Sequence, residues 1–114
     1  MSNLAMRFVR HILLGACLAS AAFGQLSTGS ITGVVTDPTG APIPNVQVWT
    51  LQIDTNFQTV VATNNQGLYR VQSLQPGVYH LTFELPGFKK TVRNGLVLRV
   101  GDVLSVNVRL RSGK

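Results

Sequence analysis

The chain is short of the side chains from which reactive sites are built. Its 114 residues include one cysteine, two histidines and four acidic residues, against ten lysines and arginines. Cys17 and His11 both fall within the first 24 residues, so from Gln25 onward the chain holds no cysteine and only His80. That excludes a disulfide framework and the three- or four-ligand sites that zinc requires. The four acids, Asp37, Asp54, Glu84 and Asp102, are scattered among turns and strand ends, with no close pair to divide acid and base roles. Nothing has the form of a nucleophile elbow. No apolar run reaches the roughly 20 residues that a transmembrane helix needs, so no membrane span is expected in the mature chain. No catalytic residue, metal ligand or cofactor is expected, and the chain reads as a non-enzyme.

The N-terminus does carry a signal. Arg7 and Arg10 precede the apolar run Ile12–Gly24, and the small residues Ala22 and Gly24 flank Phe23 just before Gln25. This is the form of a cleaved secretory signal peptide, cut between Gly24 and Gln25. It makes residues 1–24 a leader and 25–114 the working domain, exported to the periplasm or outer membrane or secreted. The alternative is lipidation of Cys17, because "LLGAC" has the look of a lipobox. Against it, only five residues separate Cys17 from His11, and the apolar run continues to Phe23. From Gln25 onward, eight Lys and Arg against four acids leave a net charge of +4. These cations are spread along alternate strand positions, so no nucleic-acid partner is expected.

What the mature sequence does have is period two. "GSITGVVTD" alternates Ile31, Gly33 and Val35 with Thr32, Val34 and Thr36. "GVYHLTFEL" sets Tyr79, Leu81 and Phe83 against Val78, His80, Thr82 and Glu84, and "VLSVNVRLR" sets Leu104, Val106, Val108 and Leu110 against Ser105, Asn107, Arg109 and Arg111. Strict alternation of this kind marks strands with one buried face. "DPTGAPIPN", "TNNQG", "QPG", "LPG" and "RVGD" interrupt the strands with residues that favour tight turns. About seven short strands at this spacing predict an all-β fold, an antiparallel β-sandwich.

The order of these elements carries a resemblance. "ITGVVTDPTGAPIPNVQV", "TNNQGLYRVQSLQPGVYHLTFELPGFKK" and "VLSVNVRL" resemble the carboxypeptidase regulatory-like domain, a transthyretin-like (prealbumin-like) sandwich. Ile31, Gly33, Val35, Asp37 and Gly40 match its first strand and turn, and Pro42, Ile43, Val46 and Val48 its second strand. Gly67, Tyr69 and Leu74, then Pro76, Gly77, Tyr79, Leu81 and Phe83, and finally Gly87 and Phe88, match the remainder. Asn64-Asn65 stands where the family usually has Thr-Asp, and the lost acid at position 65 weakens the case for calcium there. The resemblance is nearest to domains that follow a signal peptide at the N-termini of TonB-dependent, Oar-like outer-membrane receptors. It implies an accessory or interaction domain whose partners are protein, including downstream receptor domains. Related sandwiches include a hydroxyisourate hydrolase ending in Tyr-Arg-Gly-Ser. This chain ends Arg111-Ser112-Gly113-Lys114 and lacks that enzyme's histidines.

Similar sandwiches are also classed with starch-binding-like, carbohydrate-binding folds, and that resemblance supplies the second functional expectation. Trp49 alternates with Val46 and Val48 and should point outward, where an indole can stack on a sugar ring. Gln47, Leu51, Gln52 and His80 are the residues expected near it, with Trp49, Gln47 and His80 as the candidate ligand-binding set. Lys89, Lys90 and Arg93 form the densest cationic stretch. It reads as a solvated strand face rather than an anion site.

Overall fold

The computed structural model describes residues 27–113; the leader, Cys17 and the cut at Gly24–Gln25 lie outside the described residues. Eight strands follow one another: β1 Gly29–Thr36, β2 Gln47–Gln52, β3 Gln58–Ala62, β4 Leu68–Leu74, β5 Gly77–Glu84, β6 Thr91–Leu98, β7 Val103–Ser105 and β8 Val108–Arg109. They form two sheets, β4-β1-β7 (with β8 also on β1) and β3-β2-β5-β6. Between the sheets lie Ile31, Val35, Val46, Val48, Tyr79, Leu81, Phe83, Leu98 and Leu110, all essentially without solvent exposure. Each such side chain contributes on the order of 1.5–3 kcal/mol of burial free energy. The ring of Tyr69 meets that of Phe83 edge-on at a centroid distance of 5.6 Å. The all-β sandwich expected from the alternation is therefore the fold.

One pairing departs from an antiparallel sandwich. β1 runs parallel to β7, with Ile31 opposite Leu104, and parallel to β8, with Val35 opposite Val108. A parallel pair needs a long crossover between its strands. Here the whole β3-β2-β5-β6 sheet, together with β4, supplies it. The chain leaves β6 through the Arg99–Asp102 turn, crosses to the facing sheet and enters alongside β1 in the same direction.

Gly33 explains why that last strand is split in two. A methyl group on Gly33 would lie 1.9 Å from the Val106 carbonyl oxygen, so only glycine lets the Val106–Asn107 bulge press onto β1. The intruding carbonyl accepts a hydrogen bond from the Tyr69 hydroxyl at 2.6 Å. Val106 N–H donates to the Thr32 carbonyl, and the Asn107 amide oxygen accepts from Val34 N–H at 3.0 Å, so the interrupted ladder stays satisfied. A second tyrosine fixes the other end: the Tyr79 hydroxyl donates to the Gln75 carbonyl four residues upstream, a tyrosine corner across Pro76–Gly77.

Two loops at the other end of the sandwich are built alike. In Asp37–Ala41, the Asp37 carboxylate accepts from the N–H groups of Thr39 and Ala41 while Gly40 N–H donates to the Asp37 carbonyl. In Asn64–Leu68, the Asn64 amide oxygen accepts from the N–H groups of Gln66 and Leu68 while Gly67 N–H donates to the Asn64 carbonyl. Both loops need a glycine in the left-handed region, Gly40 at φ 89° and Gly67 at φ 74°. Asn64 thus does what Asp37 does, as a turn former.

Candidate functional site

Pairing of β2 with its neighbours defines the outer face of the larger sheet. Trp49 lies opposite Val60 of β3 and Thr82 of β5, and Thr82 lies opposite Val92 of β6. Trp49 is half-buried on this outward face, as its alternation with Val46 and Val48 predicts. It lines an open cleft of about 380 Å³ with Gln58, Thr82, Glu84 and Lys90. An adjoining cleft of about 420 Å³ is lined by Asn45, Gln47, Glu84, Leu85, Pro86, Phe88 and Lys90. Glu84 and Lys90 belong to both, joined by an ion pair of 3.4 Å between Lys90 Nζ and Glu84 Oε1. Both side chains are substantially exposed, and such a pair stabilises the fold by only about 0–1 kcal/mol.

The candidate residues are thus only partly brought together. Trp49 and Gln47 line neighbouring clefts. His80 lies two residues before Thr82 in β5, opposite Leu51, and lines neither cleft. Gln52 does not belong here at all, a correction to the expectation that placed it near Trp49. As an even-numbered residue of β2 it shares the inner face with Val48 and Thr50; its amide donates to the Pro76 carbonyl and accepts from Thr55. Missed in the sequence were Gln58, Thr82, Glu84 and Lys90. Thr82 and Glu84 could have been found, because they share a face with His80 in the alternation of β5. Chemically, the arrangement offers an indole, three side-chain amides, a hydroxyl and a weakly held ion pair: groups for non-covalent contact.

The profile of the carboxypeptidase regulatory-like domain matches residues 30–111. The chain belongs to the carboxypeptidase regulatory-like domain family. It is 37% identical over 100 residues to the TonB-dependent transporter Oar of Myxococcus xanthus, a match covering 87% of this chain and 9% of the transporter. The chain therefore spans less than a tenth of that relative's length. Among solved structures it is similar to the Bacillus anthracis TIE protein, with TM-score 0.64 and 16% identity, over 75% of this chain and 17% of that one. It is also similar to a candidate carbohydrate binding protein from Bacteroides uniformis, with TM-score 0.59 and 19% identity, over 72% and 40%. Hydroxyquinol 1,2-dioxygenase from Pseudomonas putida superimposes with TM-score 0.61 at 11% identity, over 75% and 56%. At these identities the structural likenesses are likenesses of fold.

In this regulatory-like domain two of the four acids, Asp37 and Asp102, serve the architecture. Asp37 is held below the ordinary carboxylate range, first by the Thr39 hydroxyl and then by the N–H groups of Ala41 and Thr39. Asp102 accepts from Arg99 N–H at 2.9 Å and closes the turn before β7. Glu84 is paired with Lys90. Burial pushes the phenol of Tyr69 well above its ordinary value, so it is a fixed donor to Val106 rather than a proton carrier. Among the described residues no three His, Cys, Asp or Glu side chains gather where they could hold a metal ion. The cationic stretch also divides: Lys90 pairs with Glu84, whereas Arg93 lies opposite Leu81 at the exposed edge strand β6.

Proposed function

We propose that residues 25–114 form a non-catalytic, exported β-sandwich of the cell envelope, an accessory interaction domain of the kind that extends a TonB-dependent receptor at its N-terminus. The observation that carries this reading is the 37% identity to a TonB-dependent transporter over most of the chain. The structural use of Asp37, Asp102 and Tyr69 supports its non-catalytic side, since groups locked in turns are not free for acid–base work. Its partners are protein segments, including receptor domains. The test is fractionation of cells producing an epitope-tagged chain, with mass determination of the product. A chain starting at Gln25 in the periplasmic, outer-membrane or secreted fraction is the expected result. An uncut chain retained in the cytoplasm sinks the reading, and an acylated Cys17 replaces the free form with a membrane-anchored one.

A second reading is a carbohydrate-binding module. It is favoured by the half-buried Trp49 in a cleft with Gln58, Thr82, Glu84 and Lys90, a stacking surface rimmed by hydrogen-bonding groups. A glycan array decides it, with Trp49→Ala as the control. The envelope reading expects signals at background for both proteins. Saccharide binding that is lost with the indole makes the second reading the right one.

A further inference from the structure

Each sheet ends in two edge strands, and three of the four are guarded against pairing with another chain. β6 sets Arg93 at an inner-face position opposite Leu81 and bulges at Gly95, which is left-handed at φ 68°. β4 carries Arg70 and is distorted near its end, where Ser73 sits at φ 58° and the register with β1 shifts. β7 and β8 are two fragments of three and two residues, broken by the Val106–Asn107 bulge. Inward charges, bulges and short strands are the devices that blunt an edge. β3 has none of them. Its sequence Gln58-Thr59-Val60-Val61-Ala62 is uncharged, lacks glycine and proline, and pairs with β2 over all five residues without a shift.

We infer that β3 is a self-association edge, pairing antiparallel with β3 of a second copy about a two-fold axis at Val60. Two features select a second copy as the occupant. First, the strand is electrostatically neutral on a chain of net positive charge, so two copies meet there with no like charges opposed, whereas pairing at β4 or β6 brings arginines near one another. Second, the strand is complementary to itself. In the Val60-to-Val60 register, Gln58 faces the second copy's Ala62, and the outer-face row Thr82–Trp49–Val60 continues directly into the second copy's Val60–Trp49–Thr82. Val60 is 44% exposed and Phe57, one residue before the strand, is 60% exposed, so the contact covers apolar surface that is otherwise in water. An isologous contact of this kind closes at two copies. Two five-residue strands bury less than the roughly 1,200 Å² of a stable interface, so the dimer is weak and forms with concentration. The inference stands independently of the envelope role.

Sedimentation of the full chain over a broad dilution series tests it. The expected result is an apparent mass rising toward twice that of the monomer, accompanied by a shift in the fluorescence of Trp49, the sole tryptophan. Val60→Lys puts like charges at the two-fold axis; it keeps the mass at one copy throughout, while circular dichroism and melting stay as in the parent. Val97→Lys, on the exposed outer face of β6, leaves dimerisation unchanged. Hydrogen exchange on the unsubstituted chain reads the same contact without a variant: the amides of Gln58, Val60 and Ala62, which alternate with those directed at β2, gain protection with concentration and those of β6 do not. A parent chain that stays at one mass, a Val60→Lys variant that dimerises like the parent, or protection that grows at β6 instead of β3 each overturns the inference.

Discussion

Replacing Thr63 and Thr50 by valine, one at a time, changes the same atoms in the same core yet should shift stability in opposite directions. Both threonines are buried, at 3% and 1% exposure. The Thr63 hydroxyl donates to the Ile43 carbonyl at 2.7 Å and accepts from Val46 N–H at 2.9 Å, so it binds the Pro42–Asn45 segment to the end of β3. Valine there removes both bonds and leaves a buried donor and a buried acceptor without partners, at a cost of about 2–4 kcal/mol. The Thr50 hydroxyl, among the described residues, has no hydrogen-bond partner at all. Valine of nearly the same shape removes a desolvated polar group and should stabilise by about 1 kcal/mol. Equilibrium urea unfolding at matched protein concentration measures both, and the slope should be shared. With a slope near 1 kcal/mol/M for a domain of this size, the midpoint falls by about 2–4 M for Thr63→Val and rises by about 1 M for Thr50→Val. Shifts of the same sign, or a Thr63→Val loss below about 0.5 kcal/mol, would refute the assignment of roles. A Thr50→Val variant that loses 1 kcal/mol or more, about the value of one buried hydrogen bond, would show that its hydroxyl is bonded after all.

Other substitutions test separate parts of the same account. Gly33→Ala drives a methyl group into the Val106 carbonyl and should cost about 3 kcal/mol or more, read as loss of a cooperative thermal transition; an unchanged melting temperature would mean that the bulge moves aside. Tyr69→Phe keeps the ring contact with Phe83 and removes the bond to Val106, costing about 1–2 kcal/mol at neutral pH in the same urea assay. Because burial raises the Tyr69 pKa on folding, its contribution is complete below the unfolded value near 10 and is lost as pH rises past it. Stability measured from neutral to strongly alkaline pH should therefore fall less steeply in Tyr69→Phe than in the parent. Asp37 works in the other direction, since its folded pKa is lowered: its stabilisation is present above the unfolded carboxylate pKa and fades as pH falls through the folded one. Stability against pH in the acid range should accordingly be flatter for Asp37→Ala than for the parent, and parallel curves would contradict it.

Period two made most of the architecture legible, because alternation decides which face of a strand is buried before any partner is known. The inner sets Ile31–Val35, Tyr79–Phe83 and Val108–Leu110 are all buried, and Trp49 faces outward. What alternation does not carry is register and long-range pairing. Nothing local in "VLSVNVRLR" says that it lies parallel to β1, because that depends on a crossover spanning most of the domain. Nor does the sequence distinguish Thr50 from Thr63, since the partners of Thr63 come from a loop 17 and 20 residues away. The Glu84–Lys90 pair was hidden for the same reason, with the turn Leu85–Lys89 between its members. Gln52 needed only its parity in β2, a signal that was present.

The distribution of polar chemistry then limits where function can reside. Asp37 and Asn64 close loops, Asn107 and Tyr69 repair the interrupted ladder, Thr63 and Gln52 tie loops to strand ends, and Asp102 completes a turn. Each of these groups is held by backbone partners, and pulling one away to serve a ligand would leave those partners unsatisfied, at about 1–3 kcal/mol apiece where they are buried. The side chains without such obligations are those of the outer face: Trp49, Val60, Thr82 and Val92 in one row, with Gln47, Glu84 and Lys90 beside it. Contact through that face costs the fold little, because its residues are already half in water and its ion pair is weak. A partner protein, a saccharide and a second copy of the chain would therefore compete for overlapping surface. Occupation of the β3 edge by a second copy covers Val60, the immediate neighbour of Trp49, so any ligand of the Trp49 cleft should shift the dimer equilibrium, and by linkage the dimer should change that ligand's affinity by the same factor.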